Sequence, residues 1–320
     1  MYRIPDRIRL FSAVAMTAAL PRSMRIAARS RLLRRLHRSK SRNADIMVIN
    51  HPKSGGTWFR AMLSRLYQMH YGLPPRRIVK SDEFYNRNRA MPRFLISNGY
   101  YTYESVTQDV LDETGPGVAI GKKVILLARH PCDVAVSWYL QITKRTKAYK
   151  RELINSTLRQ PIDRDKISMW DFLMHEELGL PGVIEFHNMW ERRLAGKDDS
   201  LIMRYEDLRS HPVETMSKVT EFLDTPFNKE EIEHAVEFAS FDNMRMLEQS
   251  GYFRNSSMTL RNKKDPSTLK ARRGKVGGFR DYFTDDQVAI MEEMVRDRLS
   301  PTFGYDLASG AAPSPMADRA

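Results

Sequence analysis

Asp45-Ile-Met-Val-Ile-Asn50 runs directly into His51-Pro-Lys-Ser-Gly-Gly-Thr57, and a helical pattern opens at Trp58. The first six residues read as a short buried strand. From Trp58 to about Met69, the apolar residues Phe59, Met62, Leu63 and Leu66 recur at the spacing of one packed helix face. Strand, glycine-bearing loop and helix form half of a parallel βαβ unit. The loop lies where a helix begins. Its glycines let backbone N–H groups approach an anion, and the helix dipole favours negative charge there. Ser54 and Thr57 add hydroxyl donors, and Lys53 adds a mobile cation. A Walker loop carries its lysine after the glycines; here Lys53 precedes Gly55 and Gly56, and the first glycine of that motif is missing. The stretch therefore reads as a phosphate loop of another type, with an ordinary tight strand-to-helix turn as the alternative.

The same plan recurs downstream. Lys123-Val-Ile-Leu-Leu-Ala128 reads as a buried strand ending at Arg129-His-Pro, and Asp133 opens a helix through Ile142. Leu201-Ile-Met-Arg-Tyr205 is strand-like and ends in Glu206-Asp207. A helix follows from Pro212, with Val213, Met216, Val219 and Phe222 on one face. Thr284 and Gln287 fit a capping box for a late helix. This alternation predicts a single α/β domain with a central, mainly parallel sheet flanked by helices, of phosphate-loop architecture. Such sheets bind ligands beyond the carboxyl ends of their strands, where all three strand exits carry polar residues. The domain is expected over 45–305, after a basic arm at 1–44 and before a flexible tail at 306–320.

The chain has 320 residues, 42% of them apolar, enough for a sizeable core without staples. The single cysteine, Cys132, rules out an internal disulfide and a thiolate zinc cluster, and fits a reducing, cytoplasmic setting. The net charge of +13 is uneven: residues 1–44 carry +11, and the rest only +2. A nearly neutral body argues against nucleic acid as partner. Leu10 to Leu20 is an apolar run too short to span a bilayer, and the Arg-rich stretch from Arg22 to Arg42 counts against a signal peptide. Met24, Ala28, Leu32 and Leu36 recur every four positions, with Arg25, Arg29, Arg31, Arg34 and Arg35 mostly off that stripe. A basic amphipathic helix suited to peripheral contact with an anionic membrane is one reading; a solvated helix or a disordered arm is the other.

Pro52-Lys-Ser-Gly-Gly-Thr-Trp58 resembles the P-K-S-G-T-T-W loop of the sulfotransferase family, whose members use 3′-phosphoadenosine 5′-phosphosulfate. Arg129-His-Pro-Cys-Asp-Val-Ala-Val-Ser137 is similar to the family's R-N-P-x-D-V-A-V-S segment, which holds the 3′-phosphate. Arg272-Arg-Gly-Lys-Val-Gly277 is similar to its R-K-G-x-x-G-x-W segment, and Tyr205-Glu206-Asp207 to its Y-E-D. Ser240-Phe241 resembles the adenine-side T-S-F, with Ala239 in place of the Thr. The resemblance implies that Ser54, Gly55, Gly56 and Thr57 hold the 5′-phosphosulfate and that Lys53 neutralises the bridging oxygen as the sulfuryl group leaves. It implies that Trp58 stacks on adenine, unless Trp58 is a core residue. It further implies that Arg129 and Arg272, with Ser137, Arg273 and Gly274 nearby, grip the 3′-phosphate, which suits planar guanidinium groups.

The acceptor side departs from the family pattern. A histidine ending a K-T-H strand removes the acceptor's proton in the family. Arg93-Phe-Leu-Ile-Ser-Asn98 reads as that strand with Asn98 in the histidine's place, and an amide is no general base. Arg77-Ile-Val-Lys-Ser-Asp82 is the competing match, with Asp82 in that place. His51 reads as packing at a strand end. The family's dimer motif is eroded, with Asp285 where an apolar contact residue belongs, so the oligomeric state stays open. No metal spacing is present. The expected activity is sulfuryl transfer to a hydroxyl or amine acceptor. The alternatives are a nucleotide kinase with an atypical loop, using Glu206 and Asp207 for magnesium, and a catalytically impaired nucleotide-binding protein docked on membranes.

Overall fold

The computed structural model describes residues 6–80, 83–98, 121–253 and 274–305. Four parallel strands form one sheet in the order β2-β1-β3-β4: β1 is Ile46–Asn50, β2 Phe94–Ser97, β3 Lys123–Ala128 and β4 Ser200–Arg204. The central pair is in register from Ile46 opposite Lys123 to Asn50 opposite Leu127. All five β1 residues are buried, because helices cover both faces of the sheet. That is why the strand reads as a continuous apolar run rather than an alternating one.

Two helices precede the sheet, α1 (Asp6–Met16) and α2 (Arg22–Asn43). After β1 comes α3 (Gly56–His70), and after β3 come α4 (Pro131–Lys144), α5 (Ala148–Asn155), α6 (Met169–Met174) and α7 (Leu180–Leu194). Beyond β4 lie α8 (Tyr205–Ser210), α9 (Pro212–Phe222), α10 (Lys229–Phe238), α11 (Phe241–Gln249) and α12 (Asp285–Arg298). Val48, Ile125 and Leu127 point to one face and share a core with Phe59, Met62 and Leu66 of α3, Val219 of α9 and Ile232 of α10. Met47, Ile49 and Leu126 point to the other, against Phe186, Trp190 and Leu194 of α7. The Thr284–Gln287 capping box is formed at the start of α12. Residues 306–320 lie outside the described residues.

Of the two readings of the arm, the described part is helical, and α2 docks on the body. Its buried stripe is Arg29, Leu33, His37 and Ser41, one position on from the 28-32-36 spacing that the sequence suggests. The shift follows from partners elsewhere in the chain. Glu152 on α5 pairs with Arg25 Nη2 at 2.5 Å and Arg29 Nη1 at 3.2 Å, and Thr17 accepts from Arg29 Nε at 2.9 Å. With these partners, Arg29 is buried at 4% exposure. Leu33 and Ala13 join the core around α4 and α5. Lys122 Nζ donates to the carbonyls of Ser41, Arg42 and Ala44 at the end of α2. Ile8, Phe11, Met16 and Met24 stay outside, at 54, 72, 67 and 58% exposure. Among the described residues no helix is long and apolar enough to cross a membrane.

Candidate active site

A cavity of about 410 Å³ lies at the carboxyl ends of the strands. Asn50 and Lys53 reach it from β1, Asn98 from β2, Arg129 from β3 and Tyr205 from β4. Every strand of the sheet contributes at its exit, as open parallel sheets lead one to expect.

The 51–57 loop has an unusual backbone. Lys53 has φ 83° and Gly55 φ 91°, both left-handed. For a lysine this costs on the order of 1–3 kcal/mol and persists where surrounding structure enforces it. Arg129 supplies part of that enforcement by donating from Nη1 to the Lys53 carbonyl at 3.3 Å. Gly55 caps α3, and a Cβ there would strike the ring of Tyr205. Gly56 is equally constrained, since its Cβ would lie 2.6 Å from Asn50 Oδ1. The Ser54 hydroxyl is buried and, among the described residues, has no hydrogen-bond partner. A buried hydroxyl without a partner beside a helix start is a site that an anionic oxygen would satisfy.

Arg129 and Asp133 organise the next wall. Asp133 accepts from Arg129 Nη2 at 3.3 Å, Gly277 N at 2.9 Å and Phe279 N at 3.0 Å. One carboxylate thereby ties the start of α4 to the segment after Gly274. Arg129 also donates from Nη2 to the Lys275 carbonyl at 3.2 Å, and its guanidinium carbon lies 4.4 Å from the Tyr205 ring centre. Gly274 has φ 60° and sits against the Phe241 ring. Trp58 lines the cavity edge-on to Tyr205 at 5.5 Å and donates from Nε1 to the Ala239 carbonyl at 2.5 Å. It is therefore neither a plain core residue nor a loose one: its indole is fixed and its ring borders the cavity.

Lys53, Gly55, Gly56, Thr57, Trp58, Arg129, Ser137, Tyr205, Phe241, Gly274 and Asn98 all line this one cavity. Ser54 is buried within the loop, and Ser240 caps α11 on the exposed side beside Phe241. Arg272, Arg273 and Asp82 lie outside the described residues. Asn98 follows the strand beside β1, and its Oδ1 accepts from Asn50 Nδ2 at 3.3 Å. His51 is fully buried between Trp138 and Phe186, and burial pushes its imidazole down to about 3. Glu206 and Asp207 serve the scaffold rather than a metal. Glu206 accepts from His130 N at 2.9 Å and Tyr305 Oη at 2.7 Å, and burial pushes its carboxyl up. Asp207 takes a two-pronged bond from buried Arg204, 2.7 Å on each side.

Several lining residues were not singled out from sequence: Asn50, Arg60, Asp133, Gln141, Arg145 and Arg209. Asp133 had a signal, since it stands inside the Arg129–Ser137 segment. The others depend on which way a side chain faces after folding.

The model of the sulfotransferase domain family matches residues 43–303, most of the chain. Flavonol 3-sulfotransferase of Flaveria bidentis is 22% identical over 285 residues, covering 82% of this chain and 84% of that one. Amine sulfotransferase of Oryctolagus cuniculus is 22% identical, covering 84 and 85%. A crystal structure of a mouse sulfotransferase complexed with PAP shares the fold, with a TM-score of 0.54, 20% identity and 82 and 87% coverage.

Proposed function

This chain belongs to the sulfotransferase family, and from that premise we propose that it moves a sulfuryl group from 3′-phosphoadenosine 5′-phosphosulfate to a hydroxyl or amine acceptor. The observation that carries the reading is the convergence of the 51–57 loop, Arg129, Trp58 and the Gly274 turn on one cavity. The buried Ser54 hydroxyl and the backbone cradle at Gly55 and Gly56 suit a phosphosulfate. The bound donor would supply the sulfuryl group: its S–O bond to the 5′-phosphate breaks with the electron pair staying on the bridging oxygen, the acceptor oxygen or nitrogen bonds to sulfur, and the acceptor's proton leaves to solvent.

The chain's own residues do the rest. Loop N–H groups at the start of α3, with the Ser54 and Thr57 hydroxyls, orient the phosphosulfate. The Lys53 ammonium neutralises charge that grows on the leaving oxygen. Its backbone, held left-handed by the loop, fixes where the side chain starts. Arg129 forks onto the 3′-phosphate while Asp133 sets its angle. Trp58 and Phe241 border the adenine. A kinase reading is disfavoured because Glu206 and Asp207 are bonded within the scaffold and Lys53 precedes the glycines. Calorimetry with PAP against Mg-ATP, followed by transfer of labelled sulfate to phenol and amine acceptors, tests the assignment. Preference for Mg-ATP would sink it.

We also infer a cytoplasmic protein whose first helix meets anionic membranes peripherally. The exposed Ile8, Phe11, Met16 and Met24 support this, as does the +11 charge of residues 1–44. Sedimentation with anionic and neutral vesicles tests it: binding to anionic vesicles at low salt that fades as salt rises is expected, and none at low salt refutes it.

A further inference from the structure

Six cations line the cavity among the described residues, Lys53, Arg60, Arg129, Arg145, Arg209 and Lys275, against one carboxylate, Asp133. Asp133 is already engaged by Arg129 and two backbone N–H groups. Four of the cations stand near the nucleotide residues. Lys53 and Arg129 belong to the loop and its brace, Lys275 follows Gly274, and the Arg209 guanidinium lies 6.0 Å from the Phe241 ring. Arg60 and Arg145 stand elsewhere.

Two helix geometries locate them. On α3, Trp58 and Arg60 are two residues apart, so they leave the helix about 200° from each other. Trp58 faces Tyr205 and Ala239, whereas Arg60 donates from Nε to the Val79 carbonyl at 2.7 Å on the opposite side. Along α4, the lining residues Asp133, Ser137 and Gln141, then the C-cap Arg145, follow a four-residue spacing, so one face of the helix runs the length of the cavity. From Asp133 to Arg145 that face extends roughly 18 Å. Arg145 therefore stands at the far end from the Arg129 brace.

We propose that the acceptor carries an anionic group of its own, a carboxylate or a phosphate, held by Arg60 and Arg145 at the end of the cavity opposite Trp58 and the Arg129 brace. This rests on the sulfotransferase reading and names the acceptor class for it. Among the described residues the one hydrogen bond made by the Arg60 guanidinium is to Val79, and it opens onto the cavity. Burial pushes it down to about 10, with Glu83 working weakly the other way. A half-buried cation with, among the described residues, no carboxylate hydrogen-bonded to it gains from an incoming anion. The same positive end disfavours a neutral acceptor only mildly, so the preference is one of affinity.

The test uses the full chain loaded with PAP, with binding read by calorimetry. The probes are 4-hydroxyphenylacetate, 4-hydroxybenzylphosphonate and the neutral 4-hydroxyphenylacetamide. The expected result is at least tenfold tighter binding of one or both anions than of the amide, and the two anions tell carboxylate from phosphate. Arg60→Met and Arg145→Met should each bring that ratio below threefold, while Arg60→Lys, which keeps the charge, should retain most of it. Thermal melts verify that each variant is folded, and Arg145→Met and Arg60→Lys carry the test if Arg60→Met is not. Equal binding of anions and amide overturns the proposal. So does an anion preference that survives both Met substitutions, or a tenfold loss of PAP affinity in Arg60→Met, which would make Arg60 a donor-site residue. Failure of the unaltered protein to bind PAP would instead refute the sulfotransferase reading itself.

Discussion

Asn50 occupies the space that a side chain on Gly56 would need: a Cβ there would sit 2.6 Å from Asn50 Oδ1. Asn50 is not free to swing away, because its Nδ2 donates to the His51 carbonyl at 2.8 Å and to Asn98 Oδ1 at 3.3 Å. The loop glycine and the amide at the end of β1 are thus one packing unit. Gly56→Ala should destabilise the protein by about 1–3 kcal/mol through overpacking. Adding Asn50→Ala should recover part of that loss, a coupling measurable by a double-mutant cycle in urea. Strict additivity would show that the two residues do not share space in solution.

Lys53→Ala should lower turnover by about 10²–10³ while changing PAP affinity little, because the ammonium acts on charge that develops as the bond breaks. Steady-state rates alongside PAP calorimetry separate the two quantities. Near-normal turnover would remove Lys53 from the catalytic role.

Arg129→Ala should weaken PAP by about 1.5–3 kcal/mol and leave 5′-AMP nearly unchanged, since only PAP carries the 3′-phosphate. Arg129→Lys should recover only part, because an ammonium cannot reproduce the fork. Equal losses for both nucleotides would mean that the residue acts only by bracing the Lys53 carbonyl.

Acid should destabilise the fold before its carboxylates titrate. Burial holds His130 and His187 down to about 4 and His51 to about 3. The unfolded chain binds these protons more tightly, so the stability they confer is complete above about pH 6.5 and is lost as pH falls through the native values. A histidine moved from 6.5 to about 4 accounts for ~3 kcal/mol over that window. Glu206, pushed up by burial, works in the opposite sense and partly offsets the loss. Urea midpoints from pH 7.5 to 4.5 should fall steadily, and His187→Asn should flatten the slope by up to one proton. A flat profile would contradict this placement of the histidines.

The strand, the loop and the helix after it were legible because each obeys a local rule. A strand covered on both faces is apolar throughout, and a loop whose backbone lies against Tyr205 and Asn50 needs glycine at 55 and 56. Asn98 was legible for the same reason, as the residue ending an apolar strand that the structure sets beside β1. What escaped depends on distant partners. Asp133 reads as an ordinary helix opener until the 277–279 backbone, far along the chain, arrives to donate to it. Arg29 reads as surface until Glu152 joins it, and the buried stripe of α2 shifts accordingly. Arg60 is directed by the Val79 carbonyl, nineteen residues on, which accepts from its Nε.

Only Ala44 and Asp45 separate the end of α2 from the start of β1. Lys122 clasps the carbonyls of that joint, and Asp45 holds Arg93 beside β2 at 2.6 Å. The arm is therefore no tether. It is a docked spar whose root is the strand that ends at Asn50, three residues before Lys53, so a surface gripped by Phe11 would set the attitude of the whole catalytic mouth, and lengthening that root by a few flexible residues would uncouple anchorage from aim.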